Sequence, residues 1–380
     1  MEQSAASRTG SRVVFPTLHP HQFAAHVKER VAEYFKTRGV SPKANASMIL
    51  RTVLVLTLTF GSYALILSNQ FSPWVMLGLS IVMGVGVAGI GFGIAHDALH
   101  EAYSSSSRVN RWLGLSFDLM GANSYMWRLT HNVIHHTYTN VQGIDEDLEV
   151  SPLLRLSPES EHKPFHRFQH LYAFFTYALS TLNWVFIKDY QYFLRRDLGP
   201  YQNRVHPRRE IAKLVLWKAG YYAYTIVIPL LVLHVAWWQY LIGFLAMHLT
   251  AGLILGVVFQ LAHVVEGTEH PVPDGAGRME HVWAVHQMET TSDFAQGNRL
   301  LSWYVGGLNY QVEHHLFPKV CSTHYRAIAP IVRDVAAQHG VPYHAHPTLL
   351  GAIRSHYVML KRLGAGARTV ASPAAARSAT

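Results

Sequence analysis

The sequence predicts an all-α integral membrane protein: four transmembrane helices in two hairpins, carrying a helical cap on the cytoplasmic side. Three observations lead there. Charged residues make up only 14% of the 380, against about 25% in ordinary globular proteins. All 32 lysines and arginines fall outside two windows, residues 52–107 and 219–277. Each window is long enough for two crossings of about 20 apolar residues.

The first window supplies TVLVLTLTFGSYALILSN (52–69) and WVMLGLSIVMGVGVAGIGFGI (74–94), joined by a turn without positive charge. The second supplies a span over about 221–238 and another over 240–262. The basic residues crowd into the N-terminal arm, the 108–218 segment and the C-terminal part. Positive residues stay on the cytoplasmic side, so both hairpins enter the membrane and return to that face. A fifth apolar run, LYAFFTYALSTLNWVFI (171–187), would strand the later basic loops outside if it crossed. It reads as an interfacial or re-entrant helix.

The spans divide the chain into an arm (1–48), a membrane domain (49–335) and a C-terminal segment (336–380). The first twenty residues and the tail from Gly364 lack apolar periodicity and read as disordered, and no secretory signal precedes the first span. The net charge of +9 follows the flanks of the spans, and no nucleic-acid-binding motif accompanies it. A transporter would carry ionisable residues in several spans, yet these hold only His234 and His248. One cysteine, Cys321, excludes an intramolecular disulfide, a thiolate zinc site and a four-cysteine iron–sulfur cluster.

Chemistry is concentrated in histidine. With 25 of them, HxxxH spacing recurs by chance, and context has to sort the pairs. In HDALH, His96 and His100 follow the second span; on a continuing helix they share one face. His131 and His135 of RLTHNVIHH repeat that spacing, while His136 is turned about 100° away and suits a second metal. His314 and His315 lie side by side in GGLNYQVEHHLFP, and His263 ends the fourth span. Even numbers of spans separate these groups, so all belong to one face of the membrane. Seven or eight imidazoles there suggest a di-metal site in the cap, and imidazole suits iron, copper, zinc and nickel alike.

Other histidines have plainer readings. His162, His166 and His170 form a stripe in a polar segment that reads as a surface or headgroup-facing one. His248, in mid-span, makes a helix–helix hydrogen bond or walls a substrate cavity. His234 lies near a span end with Trp237 and Trp238, and His286 is a second-rank ligand candidate. The Glu-x-x-His spacing of soluble di-iron bundles occurs only at Glu159 and His162, and HExxH is absent.

HDALH, HNVIHH and QVEHH, in this order and separated by two hydrophobic hairpins, resemble the three histidine boxes of the integral-membrane fatty acid desaturases. The resemblance covers roughly residues 50–335. Gln311, in place of the usual first histidine of the third box, resembles the front-end subgroup, which inserts a double bond between an existing one and the carboxyl end. It implies that His96, His100, His131, His135, His136, His263, His314 and His315 ligate two iron ions. Gln311 then coordinates weakly, binds through water or leaves a position open. Asp97, Asn132 and Glu313 are second-layer candidates that hold imidazole tautomers. Tyr125, Trp127, His248 and Trp303 are candidates for an acyl tunnel.

The resemblance also implies dioxygen as co-substrate, an acyl-lipid or acyl-CoA substrate, and two external electrons. The haem-binding His-Pro-Gly-Gly of a fused cytochrome b5 domain is absent, so the implied donor is a separate ferredoxin, rubredoxin or cytochrome b5 with its reductase. A basic cytoplasmic face suits an acidic donor and anionic lipids equally. The expected location is the bacterial inner membrane. An acyl or alkane hydroxylase on the same framework is the alternative chemistry.

Overall fold

A computed structural model describes residues 13–16, 22–148 and 151–366. Among them, four helices are long and apolar enough to cross a membrane: Ala46–Leu67, Pro73–Leu99, Arg208–Val232 and Trp237–His263. Asn45 opens the first, its side chain accepting from the Met48 amide, one of the N–H groups a helix start leaves open. Pro73 opens the second, where its missing N–H costs nothing. The two hairpin tips meet. Asn69, at φ 56°, donates to the Val232 carbonyl at 3.0 Å and accepts from the His234 amide at 2.8 Å.

The second span packs between the first and the fourth. Small residues permit the approach, as in membrane helix pairs generally: a Cβ on Gly84 would lie 2.5 Å from the Met247 carbonyl oxygen. The third span differs from the expected 221–238. It runs from Arg208 to Val232, and Trp237 opens the fourth helix instead of closing the third. The charge-based boundary stopped at Lys218, since a lysine in lipid is costly. Here Lys218 is buried, with Nζ 2.8 Å from Asp189 Oδ2, and it donates to the carbonyls of Gly121 and Val185 at 2.7 and 2.8 Å.

The fifth apolar run is a broken helix, Gln169–Ala178, Ser180–Asn183, Trp184–Lys188 and Asp189–Leu194. It lies along the fourth span, burying Ala173, Tyr177 and Val185 while Leu171 and Phe175 face outward. The histidines before it are a surface stripe only in part, with His162 exposed and His170 half-buried. His166 is buried, and His162 Nε2 donates to the Gly364 carbonyl at 2.8 Å. The His162 bond reaches the end of the C-terminal helix Leu349–Gly364, which runs to the start of the expected tail.

The cap covers one end of the bundle. Helices Gln22–Arg38, Trp283–Thr290, Gln311–Leu316 and Tyr325–Gln338 share a core of Phe23, Val27, Met288, Val312, Val332 and Val335. A second core, with Phe92, Leu261, Phe294 and Leu308, ties the spans to it. One small departure from all-α is the parallel pair Ser292–Phe294 and His344–His346. Most of the expected disordered ends lies outside the described residues. The part of the first twenty that is described is fixed: Val14 pairs with the 277–279 loop, and Phe15 packs against Tyr138 and His286.

Candidate metal centre

The cap and the span ends beside it bring the three boxes together. The second span does not reach His96 as plain α-helix: Ile90–Ala95 winds as a π-helix. The segment Arg128–His135 does so too. Bonds from i to i+5 widen these turns, a device common at functional sites. It replaces the expected α-helical spacing of the second box.

The eight histidines converge. Ligand atoms of His96, His100, His131 and His314 lie within 4.8 Å of one another, as do those of His135, His263 and His315. His136 stands between, its ring centroid 4.7 Å from that of His100, 4.6 Å from His314 and 4.4 Å from His315. All eight are buried. The Nε2 atoms of His100, His131, His135, His136, His263, His314 and His315, with Nδ1 of His136, have no hydrogen-bond partner among the described residues. Each such atom costs about 1–3 kcal/mol if left bare. Seven histidines with bare ring nitrogens gathered in one place form a donor set suited to metal.

The opposite ring edges are held. His135 Nδ1 lies 3.0 Å from Asp145 Oδ2, and His131 Nδ1 lies 3.4 Å from Asp147 Oδ2. His315 Nδ1 donates to Gln287 Oε1 at 2.7 Å, and His263 Nδ1 to the Thr290 carbonyl at 3.3 Å. His314 Nδ1 is 3.2 Å from the Tyr325 hydroxyl. This fixes the tautomers so that Nε2 faces inward. Burial, then mutual repulsion, pushes His100, His131, His136, His314 and His315 well below the ordinary histidine pKa, keeping them neutral. His135 is the exception. Burial lowers it, but the Asp145 carboxylate raises it above the usual value.

The second-layer candidates turn out differently. Asp97 approaches His96 Nδ1 only at 3.5 Å and mainly accepts from the Ser322 amide and hydroxyl. Asn132 donates to the Leu99 carbonyl, not to an imidazole. Glu313 turns away too. The Tyr343 hydroxyl lies 2.6 Å from Asp293 Oδ2 and 2.9 Å from Glu313 Oε1. One phenol proton serves one contact; the other uses a proton held on Glu313, whose pKa burial and Asp293 raise well above the ordinary range. The residues missed were Asp145, Asp147, Gln287 and Tyr325. The acidic run in GIDEDLE, shortly after the second box of an acid-poor chain, was the available signal for the first two.

Gln311 donates to the Leu308 carbonyl at 2.8 Å. His286 lies outside the converging groups, its ring against Phe15. Of the tunnel candidates, Trp127 alone lies against the cluster, stacked on His131 with centroids 4.4 Å apart. Tyr125 binds His206, and Trp303 accepts from Arg51 through its carbonyl. His248 makes interhelical bonds to Tyr221 at 2.9 Å and Thr181 at 3.0 Å. Phe259 was unforeseen, its ring 5.3 and 5.1 Å from those of His135 and His263.

Four spans crowned by a buried polyhistidine cluster define a membrane protein with a donor set suited to metal. The sequence model of the fatty acid desaturase family matches residues 72–347, and the chain belongs to that family: it is an oxidoreductase that desaturates fatty acids. It is 37% identical to an sn-1 linoleoyl-lipid 6-desaturase of Arthrospira platensis, over 92% of this chain and 94% of the relative. A protein of the same description from Synechocystis sp. is 36% identical, over 90% and 95%. An acyl-lipid (8-3)-desaturase of Physcomitrium patens is 35% identical, over 89% and 71%.

Proposed function

We propose that the histidine clusters hold two iron ions and that the enzyme inserts a cis double bond on the carboxyl side of an existing one in a lipid-linked acyl chain. His96, His100, His131 and His314 hold one ion, and His135, His263 and His315 the other. His136 stands between them. With dioxygen and two external electrons, such a centre supplies the oxidising power to take two hydrogens from neighbouring unactivated methylenes. Asp145, Asp147, Gln287 and Tyr325 orient the rings, while Trp127 and Phe259 shield the cluster from water. The convergence of eight buried histidines, seven of them with unpartnered ring nitrogens, carries this reading. Gln311 and the relatives' names support front-end action, and the names favour an acyl-lipid over acyl-CoA. A ferredoxin, rubredoxin or cytochrome b5 delivers the electrons from the cytoplasmic side, which the positive flanks of the spans support. The cyanobacterial relatives support a bacterial inner membrane.

Expression in a host without polyunsaturated lipids, fed unsaturated 18-carbon acids, tests the activity. Gas chromatography with mass spectrometry should show a new double bond nearer the carboxyl end; a hydroxylated chain without new unsaturation refutes the proposal. Metal analysis should give about two irons per chain, a stoichiometry that the separate histidine groups support. One iron, or stoichiometric zinc, counts against it.

A further inference from the structure

Arg51, near the start of the first span and outside the histidine boxes, is only 2% exposed. A buried guanidinium is costly unless its donors are used. Nη1 donates to the Trp303 carbonyl and Nη2 to the Ser322 hydroxyl, both at 3.3 Å. These partners bracket the third box, one before QVEHH and one after it. Ser322 extends the connection: its hydroxyl and amide donate to Asp97 Oδ2 at 2.9 and 3.0 Å. Asp97 belongs to the first box.

The backbone around Arg51 leaves it room. Gly93 lies in the π-helical turn of the second span, and a Cβ there would stand 3.0 Å from Arg51 Nε. Gly306, at φ +67°, faces the same turn, and its Cβ would lie 2.7 Å from the Phe92 carbonyl oxygen. A Cβ on Gly307 would stand 2.6 Å from the Ser322 carbonyl oxygen. The paired glycines before the third box, the widened turn before the first and the Arg51 fork form one packed joint.

We propose that Arg51 is a positioning residue of the metal centre. Its fork ties both flanks of the QVEHH helix to Asp97 of HDALH and thereby sets the approach of His96 to His314, whose ring centroids are 4.4 Å apart. Lysine cannot replace it, because a single ammonium lacks the planar fork that engages two acceptors in fixed geometry. This inference rests on the two-metal reading above.

The test compares Arg51→Lys, Arg51→Gln and Ser322→Ala in the full chain, purified in detergent. Iron per folded chain, the rate of iron loss to a chelator and thermal unfolding of the metal-free protein are measured. Both Arg51 variants should lose iron about tenfold faster or more, the range of outer-layer substitutions. Ser322→Ala should move the same way by less, with metal-free unfolding near that of the unsubstituted protein. Wild-type iron retention in Arg51→Lys overturns the proposal. So do lowered unfolding temperatures with unchanged iron loss, which would make Arg51 a brace only. If the Arg51 variants fail to fold, unchanged iron loss in Ser322→Ala overturns it. Absence of iron from the unsubstituted protein sinks the metal reading instead.

Discussion

Replacing Asp145 by asparagine keeps its shape and removes its charge. The carboxylate is buried and accepts three donors: His135 Nδ1 at 3.0 Å and the Asn140 amide at 2.9 Å on Oδ2, and the Asp147 amide at 3.0 Å on Oδ1. An amide accepts through one oxygen only, so its NH2 group must face at least one of these donors. A hydrogen bond to a charged group contributes about 1.5–3 kcal/mol. That corresponds to about 10–100-fold in affinity, which matches outer-layer substitutions at metal sites. Asp147, partly exposed and 3.4 Å from His131, should matter less, with under about tenfold for Asp147→Asn. The assay is competition for iron against a chelator, alongside product yield. An iron affinity for Asp145→Asn within about twofold of the unsubstituted protein, or a larger loss in Asp147→Asn, refutes the assignment.

Four further outcomes follow from the same geometry. A proton competes for a ring nitrogen once the pH falls below the ring's pKa. Since Asp145 raises His135 while burial lowers its neighbours, acidification should strip metal first from the His135, His263 and His315 side; loss in one step counts against this. Lys218→Met leaves Asp189 buried without its cation and should cost about 3–5 kcal/mol of stability, with partial recovery in Lys218→Met/Asp189→Asn, both read by thermal unfolding. His248→Leu should cost about 1–3 kcal/mol through two interhelical bonds and leave the double-bond position unchanged. A shifted position would instead put His248 in the acyl path. Cysteines at Gln70, in a hairpin tip, and Gly275, in the cap, should label from opposite sides of the membrane; labelling from one side refutes the topology.

The sequence made the spans and the histidine cluster legible for one reason. A lysine or arginine is costly within a crossing unless it is paired, so their gaps mark the hairpins, and counting crossings puts the histidines on one face. Where a charge was neutralised from afar, the same logic failed. Lys218 made the third span start too late because Asp189, its counter-ion, lies on a different helix. The second layer was misjudged for a related reason. Asp97, Asn132 and Glu313 adjoin ligands in the chain, but neighbours on a helix point about 100° apart. The imidazoles are steadied by Asp145, Asp147, Gln287 and Tyr325 across the fold.

Composition and periodicity alone thus determined that this chain lies in a bilayer and which histidines share a side, because solvation penalties act locally along the sequence. Which edge of each ring is held, how the π-helical turns set the boxes, and where Arg51 lodges depended on contacts between distant segments. Those are matters of angle and sub-ångström spacing, and only the packed structure decided them.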